Sequence, residues 1–439
     1  MNPLQVKAPV LFEFARFIQS GNHSFDAATL HQAKRVAADT IGVLFSGVKT
    51  EAFKRALEQK SRLFGKGSFG IWGTTEETVL SGAVFYNALA ISSTDFDEGH
   101  RKAVGHPASL IVPVAFTLGE SLKCSYNKIL ESIIIGYETA TRFSHARIPE
   151  KIDTYSSGRW GAVGTAATVA YLLELDTEQT MHALSNAWIL SPVMLGGSTD
   201  VSTGSMSKEG VAWAIQSGLQ SALLAEKDFV GPYLFVDNHD DLDSSNLLEG
   251  LGESWLINSN YFKPYACCRW LHAAVEAADL IRRKHHFMPA DITEIEIKIF
   301  GRAIDLMDEK FPRNPVQAQF HLPYVVACLL INDHVLPEHF SINSLKNEQI
   351  KALVDRATLT EEKRYNDVFP AELPSSVTIK TEKNTFYEEV LTAPWDAGCP
   401  PSEEELKEKF LLQTGEEKIP LWNILFSEET KPEALLKLL

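Results

Sequence analysis

The chain has few cysteines, and they form no recognisable pattern. Five are spread irregularly over 439 residues, and no CxxC pair occurs. An odd, irregular set argues against a disulfide framework, and the missing pairs argue against a structural zinc site. Because this usage fits a reducing cytosol, we expect a cytoplasmic protein.

Long apolar runs are also missing. No stretch approaches the roughly 18 consecutive apolar residues that a membrane-spanning helix needs. Residues 1–17 lack a basic segment followed by an apolar run and a cleavage site, so no secretion signal is predicted. We therefore expect no membrane partner.

Positive charge is in short supply as well. The sequence has 41 Lys and Arg against 57 Asp and Glu, a formal net charge of -16. So acidic a protein is a poor candidate for binding nucleic acid or an anionic membrane. A small anionic ligand would need a local cationic pocket.

What is present is an ordinary globular composition, 45% apolar and 22% charged, in a chain long enough for two or three domains. Most of the first 280 residues have helical periodicity, beginning with a segment over 25–48 in which Asp26 stands at the N-cap position. Further helices are predicted over 78–93, 109–122, 126–143, 161–173, 178–190 and 209–226. Gly, Ala and Thr crowd 161–170, which favours close helix packing.

The pattern changes after about residue 285. Residues 292–300 alternate between Ile295, Ile297 and Ile299 on one face and charged residues on the other, as in a half-buried strand. Two more strands are predicted over 377–381 and 385–391. Helices are predicted between the first strand and these two, over 318–330 and 345–354, and in a C-terminal tail over 402–439. We predict a mainly α protein with a large all-helical domain (1–280 and 396–439) and a smaller inserted α+β lid (281–395).

The segment richest in chemistry runs from Asp95 to His106. Three carboxylates and two histidines fall within these twelve positions, at a helix end and just before Pro107 and Ser109, which are typical of a helix start. A helix N-terminus suits an anion, and histidine can exchange a proton near neutral pH.

Two other interpretations of this segment stay open. Carboxylate-rich loops are often solvated, with one aspartate capping a helix. A metal site built from Asp97, His100 and His106 is the second alternative. Their spacing matches no standard ligand pattern, and no second His or Cys cluster lies near them in sequence, so we predict no metal.

Four segments together resemble the MmgE/PrpD family. DFDEGH followed by GHP is similar to the family pattern Asp-Phe-Asp-Asp-Thr-His followed by Gly-His-Pro-Ser. GRWGAVGTAATVAYLLELDTEQTMHAL resembles the Gly/Ala-rich helix and the helix after it, and GSMSKEGVAWAIQSG resembles the lysine-bearing segment. FKPYACCRWLHAAVEAA resembles the Lys-Pro-Tyr segment. The four occur in the family's order and cover most of the chain.

The resemblance implies a set of site residues in a cleft between the helical domain and the lid. The matched positions are Asp95, His106, Lys208, Lys263 and Tyr324. Two lysines can hold substrate carboxylates and stabilise the charge that develops when an α-proton leaves. His106 is our first candidate for the acid/base and Lys208 the second, with Asp95 beside them and Tyr324 as proton donor or orienting group.

Further substrate-binding candidates follow from the segments themselves. Arg269 is a candidate carboxylate clamp, and His100 lies within the first motif. The chain departs from the family in having Glu98-Gly99 in place of Asp-Thr or Asp-Ser, which removes a hydroxyl. It also lacks a histidine before the Gly/Ala-rich helix, and the possible substitutes are Tyr155 and Arg159.

The resemblance implies a cofactor-free enzyme that acts on a small di- or tricarboxylic acid, and a homodimer. A lyase acting by dehydratase-type β-elimination or decarboxylation is the first hypothesis. The second is an epimerase or other isomerase of a substituted succinate. The third is an inactive binding or regulatory homologue, which the lost hydroxyl and histidine would fit.

Overall fold

A computed structural model describes residues 3–21, 23–194, 198–307 and 309–439, with the backbone alone described at 198–200. The part that precedes the main sheet is helical. Its helices are α1 (Pro3–Lys7), α2 (Pro9–Gln19), α3 (Ala27–Gly47), α4 (Glu51–Leu57), α5 (Lys60–Leu63), α6 (Leu80–Ser92), α7 (Ala108–Ser121), α8 (Tyr126–His145), α9 (Gly158–Leu172), α10 (Thr177–Ile189), α11 (Ser198–Thr203), α12 (Val211–Ala225), α13 (Leu234–Asn238) and α14 (His272–Lys284).

The long helices agree with the predicted ones to within a few residues. Asp26 caps α3 as expected, accepting a hydrogen bond from the backbone N–H of Thr29. The Gly/Ala/Thr-rich helix α9 is buried, and α7, α8, α10 and α12 pack around it. The small side chains of α9 therefore allow close packing, as predicted. A short hairpin, β1 (Phe69–Gly70) with β2 (Glu77–Thr78), adds a detail that the sequence did not indicate.

The smaller part is built on a mixed sheet. Its elements are β3 (Ile292–Ile299), α15 (Gly301–Ile304), α16 (Pro315–Phe320), α17 (Leu322–Asn332), α18 (Glu348–Asp355), β4 (Ala357–Glu361), α19 (Lys363–Asn366), β5 (Ser375–Thr381) and β6 (Thr385–Val390). The strand order is β4-β3-β5-β6, with β3 parallel to β4 and antiparallel to β5, and β5 antiparallel to β6.

The predicted alternation in β3 is confirmed, since Ile295, Ile297 and Ile299 are all buried. The register pairs Ile297 with Val377. All strands of this sheet lie within the predicted lid, but the domain boundaries themselves stay a prediction. β4 was not predicted, and the predicted helix over 318–330 is two helices that meet at His321, whose ring accepts from the backbone N–H of Tyr324.

The C-terminal tail forms α20 (Glu403–Thr414), α21 (Ile419–Phe426) and α22 (Pro432–Leu436). It returns to the helical part, where α20 packs along α3. There the buried Lys409 ammonium donates to Asp39, 2.6 Å away, and to the carbonyl of Phe96, 2.8 Å away. The tail therefore contacts the loop after α6. Within the described ranges, none of the helices combines the length and apolar character needed to cross a bilayer.

Candidate active site

The loop between α6 and α7 carries the predicted motif, and it is buried. Asp95, Asp97 and Glu98 are each at most 2% exposed, and His106 is 8% exposed. The interpretation as a solvated loop is therefore wrong. The loop closes on itself, because the backbone of His100 pairs with Gly105 across it.

Gly99 ties this loop to the segment that carries Lys263. Its backbone N–H donates to the carbonyl of Tyr261, and its carbonyl accepts from the N–H of Tyr261. A Cβ added at position 99 would lie 2.3 Å from the Tyr261 hydroxyl oxygen. It would also lie 2.8 Å from the carbonyl oxygen of Gly105, a backbone atom, so a threonine or serine here would force the loop to shift.

Glu98 holds the loop against the start of α7. One carboxylate oxygen accepts from the backbone N–H of Ala108, and the other accepts from the Tyr137 hydroxyl and the Asn260 amide. Burial raises the pKa of Glu98 to about 7, although these hydrogen bonds work in the opposite direction. Glu98 is thus a structural anchor.

Asp95 is the centre of the charged cluster. Its Oδ1 lies 3.0 Å from Lys263 Nζ and 3.1 Å from Lys208 Nζ, and its own carbonyl also accepts from Lys263, at 2.9 Å. Burial alone would raise the pKa of Asp95, but Lys208 and then Lys263 hold it well below its usual range. One carboxylate oxygen therefore holds two lysines, whose positions in the sequence are 55 residues apart.

His106 presents one ring nitrogen to this cluster. Its Nδ1 lies 2.7 Å from the carbonyl of Glu98, and because a carbonyl can only accept, Nδ1 carries the proton. In the neutral imidazole the other nitrogen, Nε2, has a free lone pair. It lies 3.6 Å from Asp95 Oδ1 and 4.0 Å from Glu209 Oε1.

Glu209 is a member of the cluster that the sequence patterns did not indicate. It lies in a turn in which Lys208, Glu209 and Gly210 all have positive φ, at 27°, 55° and 68°. Gly158, at the start of α9, permits this turn, because a Cβ there would lie 2.6 Å from the Glu209 carbonyl oxygen. Ser157 then donates to Glu209 Oε2 from its backbone N–H at 3.0 Å and from its hydroxyl at 2.6 Å.

Opposing influences set the pKa of Glu209. Burial raises it, but His106 and then Lys208 outweigh burial, and the pKa is lowered overall. For Lys208, burial lowers the pKa, yet Asp95 and Glu209 raise it above its usual value. Glu209 is therefore a carboxylate and Lys208 an ammonium near neutral pH.

The cluster is rich in polar atoms that the protein itself leaves unpaired. Four of the buried atoms that lack a hydrogen-bond partner of good geometry in the described residues belong to this cluster: Asp95 Oδ2, both carboxylate oxygens of Asp97, and Lys208 Nζ. Such groups are uncommon in folded proteins and call for an explanation. Lys208 Nζ also lies 4.5 Å from the ring centroid of Phe320, in α16, so the smaller part contributes one wall.

Four of the predicted residues therefore meet: Asp95, His106, Lys208 and Lys263. His100 has its Nε2 2.9 Å from the Ser259 hydroxyl, and burial lowers its pKa to about 4. The hydroxyl of Tyr324 donates to the carbonyl of His339, at 2.8 Å, and not to a member of the cluster.

The predicted clamp Arg269 is engaged elsewhere. Its guanidinium donates to Asp396 Oδ2 at 2.8 Å and to the carbonyl of Pro394 at 2.8 Å. Asp396 is also bound by Arg101, at 2.7 Å. These contacts connect the motif loop to the segment after β6 and leave the Arg269 charge compensated by protein.

The two proposed substitutes for the missing histidine do not reach the cluster either. Tyr155 is 44% exposed, and the guanidinium carbon of Arg302 lies 5.8 Å from the centroid of the Tyr155 ring. Arg159 donates to the carbonyl of Trp188 at 3.2 Å and to the Ser191 hydroxyl at 3.0 Å.

Asp95, His106 and Glu209 could supply one ligand atom each to a metal ion, since these atoms lie within 4.8 Å of one another. This set differs from the one weighed from the sequence. The ammonium groups of Lys208 and Lys263 already neutralise Asp95 and would repel a divalent cation. The two ammonium groups on Asp95 therefore disfavour a divalent cation at that carboxylate.

Comparison with known proteins agrees with the motifs. A model of the MmgE/PrpD N-terminal domain matches residues 13–242, and a model of the MmgE/PrpD C-terminal domain matches residues 265–416. The chain is 24% identical to cis-aconitate decarboxylase of Mus musculus over 421 residues, covering 89% of this chain and 83% of the relative.

Two further relatives are more distant or shorter in overlap. Cis-aconitate decarboxylase of Aspergillus terreus is 20% identical over 419 residues, covering 88% of this chain and 85% of the relative. The 2-methylcitrate dehydratase of Escherichia coli (strain K12) is 23% identical over 246 residues, covering 52% of this chain and 51% of the relative.

Proposed function

The chain belongs to the MmgE/PrpD family, and we propose that it is a lyase acting on a small carboxylic acid by removing a proton next to a carboxylate. The observation that carries the proposal is the arrangement of His106 and Lys208 around Asp95. His106 Nε2, which carries no proton when the imidazole is neutral and its Nδ1–H is held by the Glu98 carbonyl, and the Lys208 ammonium both face Asp95 Oδ1, at 3.6 and 3.1 Å.

Each group has a defined task in this proposal. His106 Nε2 takes the α-proton, because its Nδ1–H is committed to the Glu98 carbonyl. The electron pair of the broken C–H bond then forms the double bond as the bond to the β-substituent breaks, and that substituent leaves with its bonding electrons. The Lys208 ammonium binds the adjacent carboxylate and stabilises the negative charge that moves onto it as the proton leaves. Lys208 is the cation and not the base, since its pKa is raised despite burial.

Asp95 and Lys263 support these two groups. Lys263 is completely buried and is hydrogen-bonded to both the side chain and the backbone of Asp95. It therefore fixes the carboxylate that in turn positions Lys208 and faces His106. The resemblance implied a different role for Lys263, direct binding of a substrate carboxylate. That role stays a prediction.

The geometry favours a lyase over an epimerase. An epimerase needs two acid/base groups on opposite faces of one carbon, each about 3 to 3.5 Å from it, and thus about 6 to 7 Å apart. The carboxylates nearest to His106 Nε2 are those of Asp95 and Glu209, at only 3.6 and 4.0 Å. Neither is far enough from His106 to stand on the opposite face of a substrate carbon.

The test is proton NMR in deuterium oxide, with a panel of substituted succinates and citrate-like acids. We expect loss of an α-proton signal and the appearance of a vinylic product. His106→Ala should slow both by about 10²- to 10⁴-fold. His334→Ala, at an exposed histidine, is the matched control and should leave the rates unchanged.

Three results would contradict the proposal. Exchange that survives His106→Ala would reject His106 as the base. Exchange without a vinylic product would favour the epimerase, and no exchange with any acid would favour an inactive homologue. The homodimer stays a prediction, which light scattering of the purified protein would test.

A further inference from the structure

The charge balance of the cluster is unusual for a site that binds an anion. Two ammonium groups, Lys208 and Lys263, face three carboxylates, Asp95, Asp97 and Glu209. With His106 neutral the cluster carries a net charge of about -1, and with His106 protonated about zero. In neither state is there surplus positive charge for an acid with several carboxylates and no cation of its own.

Glu209 is the most accessible of the charged groups. Its side chain is 24% exposed, against 10% for His106, 8% for Lys208 and 2% for Asp95. A ligand that reaches His106 Nε2 from solvent therefore meets a carboxylate beside it. For a purely anionic ligand this contact would be repulsive.

The two oxygens of the Glu209 carboxylate differ: Oε2 accepts hydrogen bonds from the protein, and Oε1 faces the cluster. Ser157 supplies two hydrogen bonds to Oε2. Oε1 lies 4.0 Å from His106 Nε2 and 3.9 Å from Lys208 Nζ, both beyond hydrogen-bond distance, and receives no hydrogen bond from another residue in the described ranges. The positive φ of Glu209 is a strained conformation for a residue with a side chain, and such strain is found where a site requires it.

We propose that the substrate carries a protonated amino group and that Glu209 Oε1 binds it. The inference rests on the proposed function, in that it takes the cluster as the substrate site. An amino-substituted dicarboxylic acid would place its ammonium on Glu209, its adjacent carboxylate on Lys208 and its C–H bond towards His106 Nε2. The separation of 3.9 Å between Glu209 Oε1 and Lys208 Nζ suits a carboxylate and an ammonium carried by the same or neighbouring carbon atoms.

The experiment compares three acids that differ in one substituent: aminosuccinate, hydroxysuccinate and succinate. Binding to the full chain is measured by titration calorimetry, separately from turnover by proton NMR. We expect the unmodified protein to bind aminosuccinate at least about 10-fold more tightly than the other two. Glu209→Gln should weaken aminosuccinate binding by about 10- to 100-fold, because a charge-assisted hydrogen bond is lost.

The same variant should bind hydroxysuccinate equally well or better, because a repulsive charge is removed. Glu174→Gln is the matched control, since Glu174 also has a positive φ, 53°, and is exposed, just beyond the end of α9 opposite to Ser157. Ser157→Ala should weaken aminosuccinate binding less than Glu209→Gln does, because it loosens the carboxylate without removing its charge. Thermal unfolding of each variant checks that the fold is retained.

The outcomes separate this inference from the proposed function. If hydroxysuccinate or succinate binds best, or if Glu209→Gln leaves the selectivity unchanged, the inference is overturned even where His106-dependent exchange is found. If aminosuccinate binds selectively through Glu209 but no acid exchanges a proton, the inference stands and the lyase proposal falls. Failure of aminosuccinate to bind at all overturns the inference.

Discussion

Two buried ion clusters lie on either side of the same loop, and they differ in how completely the protein satisfies them. In the first, which we call the tail pair, Lys409 donates to Asp39 and to the Phe96 carbonyl, while the other oxygen of Asp39 accepts from the Glu98 N–H. In the site cluster around Asp95, buried oxygens and an ammonium lack hydrogen-bond partners. One cluster is complete without a ligand, and the other is not.

The pKa shifts of the two clusters point in opposite directions. In the tail pair burial dominates, raising the pKa of Asp39 and lowering that of Lys409. In the site cluster burial is outweighed, so the pKa of Asp95 is lowered and those of Lys208 and Lys263 are raised. Sharing one carboxylate between two lysines therefore keeps all three groups charged, as a site that binds charged groups requires.

The largest expected effect comes from removing the Lys208 ammonium. Lys208→Met should lower the rate of α-proton exchange by about 10²- to 10³-fold, since a preorganised cation next to the developing charge is lost. Stability should change little by comparison, because Asp95 keeps both hydrogen bonds from Lys263. NMR exchange rates and urea unfolding measure the two effects.

Lys227→Met is the control, at a lysine whose side chain is 79% exposed. It should leave both exchange and stability unchanged. A Lys208→Met variant that unfolds readily but, when folded, exchanges protons at the normal rate would contradict this account. It would show that the site cluster stabilises the fold and does not act on the substrate.

The tail pair should show the opposite result. Lys409→Met leaves the Asp39 carboxylate buried without its cation, and we expect a loss of about 3 to 5 kcal/mol in the free energy of unfolding. The double variant Asp39→Asn with Lys409→Met should recover much of that loss, because it leaves no unpaired charge. Urea unfolding curves measure both, and a double variant no more stable than the single one would contradict the account.

Glu98, between the two clusters, should make stability depend on pH. Its pKa is raised from 4.5 to about 7 in the folded protein. Between these values the folded chain keeps a proton that the unfolded chain has lost, so stability falls as pH rises, by about 1.4 kcal/mol per pH unit, and levels off above pH 7. Glu98→Gln should remove this slope, and a variant with the same pH profile as the parent would refute the role of Glu98.

The sequence predicted the long helices well because apolar periodicity is a local signal. It did not predict β4, in which that local signal is weak. β4 has only five residues, none of them buried, and only Ala357 and Leu359 are apolar, so its alternation is much weaker than that of β3. In the site, motif resemblance brought together Asp95, His106, Lys208 and Lys263. It did not find Glu209, whose role depends on a positive-φ turn and on Ser157, 52 residues away.

The matched segments also suggested site roles for residues whose side chains are bound elsewhere in the fold, by partners distant in sequence. Arg269 is bound by Asp396, 127 positions further along, and no local pattern predicts that pairing. Asp39 and Lys409 are 370 positions apart, and no sequence pattern connects them. Only Lys409 could have been noticed in the sequence, because it lies between Leu406 and Phe410 on the apolar face of a predicted helix.

The smallest expected effect concerns Tyr324, which resemblance places in the site and whose hydroxyl instead donates to the carbonyl of His339. Tyr324→Phe should lower the free energy of unfolding by about 1 kcal/mol through the lost hydrogen bond. Proton exchange should stay within about twofold of the parent rate, because the hydroxyl contacts no member of the cluster among the described residues. A fall of 10²-fold or more in exchange with unchanged stability would show that Tyr324 acts on the substrate, and that the hydroxyl turns from His339 to the cluster when substrate binds.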